Sequence, residues 1–140
     1  MSKSGKQGPK PPKLKELVLG PLPVKAVNAT LGTELEAGEV VFSIPAQRHA
    51  MRRHPDDFAR CLPHVGGVVT GPLYVGDDFK NPGKIELVSR LPVLGGGLLV
   101  AVTLERDQAG RYHVASLYPV SQSKIDNRRQ AGTLRNIRLK

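Results

Sequence analysis

After residue 67 the apolar residues settle into a period of two, in runs joined by connections only a few residues long. This pattern constrains the fold more than any other feature of the chain. Four runs read as strands: Val68 to Val75, Lys84 to Arg90, Leu98 to Glu105 and Arg111 to Val120. Gly95-Gly96-Gly97 and Asp107-Gln108-Ala109-Gly110 read as hairpin turns, and connections this short join antiparallel neighbours. Within LLVAVTLE both parities are largely apolar, which marks a central strand covered on both faces. The expected class is α+β: an N-terminal helix or helix pair, a four-stranded antiparallel sheet, and a C-terminal basic helix.

The first helical stretch runs from Ala46 to Leu62. Met51, Phe58 and Leu62 form its apolar stripe, and Arg48, Arg52 and Arg60 lie off it. His54-Pro55-Asp56-Asp57 resembles a second start, because Pro suits a first helical position and acids suit the positive helix end. Either one kinked helix or two short ones is expected. After the sheet, a helix is expected from about Lys124 to Thr133, interrupted at Gly132 and followed by a short basic end.

The start of the chain is less regular. Residues 1–15 lack apolar periodicity and are rich in Lys, Pro and Gly, as in a disordered basic tail. Residues 16–44 hold the pieces LVL, PLPVKAV and EVVFSI, broken by Pro, Gly32 and Gly38. They are either a small β arm packed on the domain or a linker, leaving residues 45–140 as the domain proper. A chain of 140 residues has room for one modest core. At 39% hydrophobic and 24% charged residues, most of it can offset its ordering entropy by burial.

Net charge is +9, and its placement matters more than its size. Residues 1–15 carry +5, residues 16–46 carry −3, and the remaining 94 residues carry +7. A basic folded part favours nucleic acid or an anionic surface as partner; the alternative is a merely soluble basic protein. Cys61 is the only cysteine, so an intramolecular disulfide and Cys-based structural zinc sites are excluded. No apolar stretch approaches the roughly 20 residues of a membrane span, and the Lys-rich start lacks the apolar segment of a secretory signal. A cytoplasmic setting with no membrane partner is expected, and the sequon Asn28-Ala29-Thr30 has no role there.

His49 and His54 are the first candidates for chemistry. Imidazole, with an unperturbed pKa of about 6.5, can accept and donate protons near neutrality, as cleavage of RNA by its own 2′-hydroxyl requires. Five residues of unbroken helix would point them roughly 140° apart. Either the Pro55 break re-aims His54, or His54 caps a second helix and His49 alone faces the sheet. His64 and His113 rank lower. HAMRRH lacks the i, i+4 spacing and glutamate of a helical zinc site, so neither a metal nor another cofactor is expected.

Alternation places Lys84, Glu86 and Arg90 on one face of their strand, and Tyr112, Ser116 and Tyr118 on one face of theirs. Such a face could hold a phosphate and a base, or be polar for solubility alone. Lys124, Arg128, Arg129, Arg135, Arg138 and Lys140 form a basic end opposed only by Asp126, a phosphate-binding candidate or a solvated charged helix. Ser121-Gln122-Ser123-Lys124 matches S-x-x-K by chance, since that motif needs a larger scaffold. The glycine run at 95–97 lacks the G-x-G-x-x-G pattern of a nucleotide loop.

Taken in order, H-x-x-x-x-H-P-D-D-F, P-L-Y-V-G, K-I-E-L-V, L-L-V-A-V, V-A-S-L-Y-P-V and K-I-D-N-R-R resemble a phage-associated nuclease group. That group is placed in the Barnase, EndoU, colicin and RelE-like superfamily of toxin ribonucleases. The resemblance covers roughly Pro45 to Leu134. It implies metal-independent RNA cleavage in a cleft lined by helix and sheet. His49 and His54 resemble the group's histidine pair and Ser116 and Tyr118 its strand S-x-Y. Lys84 and Glu86 match its strand opening, and Lys124 and Arg128 its trailing basic helix, with Arg129 beside them. Because Barnase-like enzymes often use a glutamate base, Glu86 could stand in for one histidine.

The expected activity is a toxin-type endoribonuclease that leaves a 2′,3′-cyclic phosphate. RNA is then the partner, delivery with a phage particle or by a secretion system is a possible route, and an acidic inhibitor or immunity protein, or a dormant state, is needed for self-protection. Two other functions remain open on the residues: a module that binds nucleic acid without cutting it, and a structural component of a phage particle.

Overall fold

The computed structural model describes residues 13–77 and 82–137. Most of the expected basic tail, and the basic residues Arg138 and Lys140, lie outside the described residues. Seven strands form one sheet: β1 (Leu17–Pro21), β2 (Glu39–Phe42), β3 (Tyr74–Asp77), β4 (Lys84–Leu91), β5 (Gly96–Thr103), β6 (Tyr112–Ser121) and β7 (Arg135–Asn136). Their order is β1-β2-β6-β5-β4-β3-β7, with β2 parallel to β6 and the other described pairings antiparallel. Interleaved with them are α1 (Val24–Leu31), α2 (Ile44–Arg53), α3 (Pro55–Cys61), α4 (Val65–Thr70) and α5 (Gln122–Gln130).

The class is α+β as expected, but the four-stranded antiparallel sheet behind an N-terminal helix is corrected to a seven-stranded mixed sheet with interleaved helices. The reason lies in residues 17–42. Their strands are four or five residues long, too short to display a period, and β2 finds its partner about 70 residues away, at Val40↔Tyr112 and Val41↔His113. The arm is tied down as well as paired. Gln47, 2% exposed, donates from its amide to the carbonyls of Lys15 (2.7 Å) and Phe42 (2.8 Å), Arg111 meets Glu16 at 3.1 Å, and the Tyr112 hydroxyl donates to the Glu36 carbonyl.

The expected strand from Val68 to Val75 is a second correction. Val65, Val68 and Val69 are spaced i, i+3, i+4 and are buried as the inner stripe of α4; only at Tyr74 does β3 begin. Burial of a helical stripe outweighs the β preference of valine, which is a weak prior. Gly95 takes the left-handed φ of 85° after a short 3₁₀ turn, whereas Gly96 and Gly97 already belong to β5. A Cβ on Gly97 would lie 2.4 Å from the Ser89 carbonyl oxygen and 2.9 Å from Ile125, so the run lets β4 and α5 approach closely.

β5 is the central strand, buried along nearly its whole length. Its alternate residues feed two cores. Leu98, Val100 and Val102 join Ile85, Leu87, Phe42, Tyr112, Val114 and Leu117 in the larger one, covered by α1 to α4. Leu99 and Ala101 join Val88, Tyr74, Val120 and Ile125 in the smaller one, under α5. Each fully buried Phe, Leu or Val here is worth roughly 1.5–3 kcal/mol relative to exposure.

Candidate active site

A cleft of about 240 Å³ opens where α2 passes β6, lined by Ala46, His49, Ala50, Arg53 and His54 from the helix side and Ala115, Ser116, Leu117 and Tyr118 from the strand. The strand supplies four consecutive residues, although the side chains of a paired strand alternate between faces. It can do so because the cleft faces the edge of β6: the described ladder with β2 reaches only Tyr112 and His113. Further along, Pro119 has no N–H to offer a second ladder.

A β-bulge sets which residues reach this place. Ala101 pairs with Ser116 but Val102 with Val114, so Ala115 is the extra residue and the parity of β6 changes across it. Tyr112 is therefore buried in the larger core, while Tyr118 packs against the smaller one beneath α5. This corrects the expectation that Tyr112, Ser116 and Tyr118 share a face. The alternation is real on each side of the bulge and breaks at it.

α2 begins at its N-cap Ser43, whose hydroxyl accepts from the Ala46 amide at 3.2 Å, with Pro45 in the first turn. Ala46 and Ala50 recur at i, i+4, as do His49 and Arg53, so one flank of the helix supplies both the small cleft wall and its polar groups. His54 leaves the helix at φ −147°, ψ 73°; its amide closes α2 on the Ala50 carbonyl and its carbonyl receives the Phe58 amide that opens α3. Each sequence alternative holds in part, and His49 is not the only histidine at the cleft. His54 caps the second helix, and the break brings it to the same cleft as His49.

The other expected residues are distributed differently. Lys124 is not among the residues that line the cleft, but its Nζ stands 6.0 Å from the centroid of the Tyr118 ring, which does line it. Glu86 does not line the cleft: it lies two strands from β6 in the row Glu86↔Ala101↔Ser116, 7% exposed and ion-paired with Arg128. Lys84 is half-buried two residues before it, and the Arg129 guanidinium carbon stands 5.0 Å from the centroid of the Tyr74 ring. His64 ends a 3₁₀ turn, and His113 bonds Asp107 Oδ2 at 2.7 Å. Ser121 caps α5 by accepting from the Lys124 amide at 3.1 Å, which accounts for S-x-x-K without chemistry.

Arg53 is the cleft residue that the sequence reading missed; its i, i+4 spacing from His49 was the available signal. The cleft is thus lined by two imidazoles, a guanidinium, a hydroxyl and a phenol, with the Lys124 ammonium over the phenol ring, and among the described residues no carboxylate lines it. Among the described residues no group of three or more His, Cys, Asp or Glu side chains comes together as a metal site would require. No helix among them is long and apolar enough to cross a membrane.

The family described as phage-Barnase-EndoU-ColicinE5/D-RelE like nuclease3 matches residues 18–127. The chain belongs to this nuclease family. Neither a curated protein nor a solved structure matches it. The matched span begins in β1 and so takes in the arm as well as the cleft.

Proposed function

From membership of a nuclease family as the premise, we propose that the chain is a metal-independent endoribonuclease of toxin type, acting through the 2′-hydroxyl of its RNA substrate. The observation that carries this reading is the convergence of His49 and His54 on one cleft with Arg53 between them in sequence. Two imidazoles, one neutral and one protonated, are what an internal phosphoryl transfer needs.

In the proposed reaction His49 takes the 2′-hydroxyl proton as the 2′-oxygen bonds to phosphorus. Arg53 and Lys124 offset the charge of the pentacoordinate phosphorane. The bond from phosphorus to the 5′-oxygen breaks, and His54 donates its proton to that leaving oxygen. The products are a 2′,3′-cyclic phosphate and a free 5′-hydroxyl. Ser116 orients a phosphate oxygen, and Tyr118 offers an aromatic surface to an unpaired base. Glu86, held by Arg128, positions α5 and hence Lys124 rather than serving as base.

The test is incubation of the protein with labelled RNA in excess EDTA, with end-group analysis of fragments. Cleavage to 2′,3′-cyclic ends is expected, reduced about 10²–10⁴-fold in His49→Ala and in His54→Ala, with RNA binding retained. RNA that stays intact but bound would favour the alternative of a binding module, a role that the exposed cations along α5 would suit. Full cleavage by both variants would remove the histidines from the mechanism.

A further inference from the structure

On the sheet face that carries α5, Arg90 of β4 and Arg129 of α5 both stand over the Tyr74 ring, with guanidinium carbons 5.7 Å and 5.0 Å from its centroid. The phenol beneath them is 2% exposed, whereas both arginines are exposed. Neither arginine has a carboxylate within ion-pair distance among the described residues. Asp126, the acid nearest Arg129 in sequence, lines an adjoining open hollow with Arg129 and Gln130, and its Oδ1 accepts from the Gln122 side-chain amide at 2.9 Å.

Two like charges gathered on one ring repel each other, and a merely apolar cover for Tyr74 would not need two guanidiniums. A guanidinium seated over an aromatic ring keeps N–H groups free for a further partner, and a guanidinium already held in place is what grips a phosphate well. α5 links this pair to the cleft. Lys124, at its start, stands over Tyr118; Arg129, near its end, stands over Tyr74; and Tyr118, Leu99, Val88 and Tyr74 form one cross-strand row. Arg90 lies two strands and two residues from Tyr118, about 12 Å by ordinary strand spacings.

The geometry points to a second phosphate-binding site, formed by Arg90 and Arg129 over Tyr74, that holds the backbone of the same RNA strand a few nucleotides from the cut. This rests on the ribonuclease reading of the cleft. At the roughly 3.4 Å rise of a fully stacked strand the separation is spanned by at most about four nucleotides, and by fewer in a more extended strand. The site therefore acts on strands long enough to reach it, and a dinucleotide engages the cleft alone.

The experiment uses the full chain with Arg90→Gln, Arg129→Gln and the pair, which keep a side-chain stem over Tyr74, and a pair of lysine substitutions that keeps the charge. Affinity for a single-stranded decanucleotide is measured by fluorescence anisotropy in EDTA on the His49→Ala background, and cleavage of dinucleotide and decanucleotide on the wild-type background. The double glutamine variant is expected to bind the decanucleotide about 10-fold more weakly, with a salt slope shallower by about one to two. Its dinucleotide cleavage should be unchanged, and the lysine pair should recover part of the binding. Unchanged decanucleotide affinity and slope in the double variant would overturn the second site and leave the cleft reading intact. Because the binding arm does not depend on turnover, the site stands or falls by it even if no RNA is cut.

Discussion

At the residue scale, His49, Arg53 and His54 show how little sequence distance says about a site until the backbone between the residues is known. One helical turn aligns His49 with Arg53, and one residue beyond it the chain leaves the helix, so that His54 returns to the same cleft. Asp107 is the other residue whose chemistry the structure defines. Its carboxylate accepts from the Ala109 and Arg111 amides at 2.9 Å and 3.0 Å and from the His113 ring, closing the turn between β5 and β6. The Arg111 amide first, then the His113 ring, hold its carboxyl well below the usual carboxylate range. A carboxyl depressed in the folded state stabilises the fold above its unfolded pKa, near 3.9, and that contribution drains away as pH falls below it. Asp107→Asn is therefore expected to lower the urea midpoint at pH 6, by an amount that narrows as pH drops from 4 towards 2. A gap that stays constant across this range would mean that the charge of Asp107 contributes nothing.

At the element scale, α5 has almost no apolar stripe of its own, with Ile125 as its single buried residue. Its seat depends on the polar contact between Arg128 and Glu86, made against the middle of β4. Arg128→Ala takes the cationic partner from a carboxylate that is 10% exposed at its side chain, and should destabilise the fold by about 2–3 kcal/mol in urea unfolding. This falls below the ~3–5 kcal/mol of a fully buried pair because the Arg128 side chain keeps 29% of its exposure. Replacing both partners with leucine should recover most of the loss, since no charge is then left buried. A double replacement as unstable as Arg128→Ala would show that the pair itself, and not the charge that loses its Arg128 partner, holds α5.

At the scale of the whole molecule, the arm and the sheet form one structure. Leu22, Val27, Val40, Val41 and Phe42 are each 3% exposed or less, and β2 pairs with Tyr112 and His113, the start of the β6 strand that leads into the cleft. A chain beginning at residue 45 should lose cooperative thermal unfolding, whereas one beginning at residue 13 should keep it. A fragment 45–140 that melts at the full-length temperature would restore the reading of 16–44 as a dispensable linker. The sequence by itself determined what is local: the period-two runs of β4, β5 and β6, the central place of LLVAVTLE, the break at His54-Pro55 and the basic character of α5 all follow from spacing and composition. Tertiary structure decided the rest. The parallel union of β2 with β6, the pairing of Glu86 with Arg128 and the bulge at Ala115 each depend on a partner far along the chain. Those contacts leave no periodic trace, because one pairing or one extra residue is chosen by what it packs against and not by its neighbours in sequence.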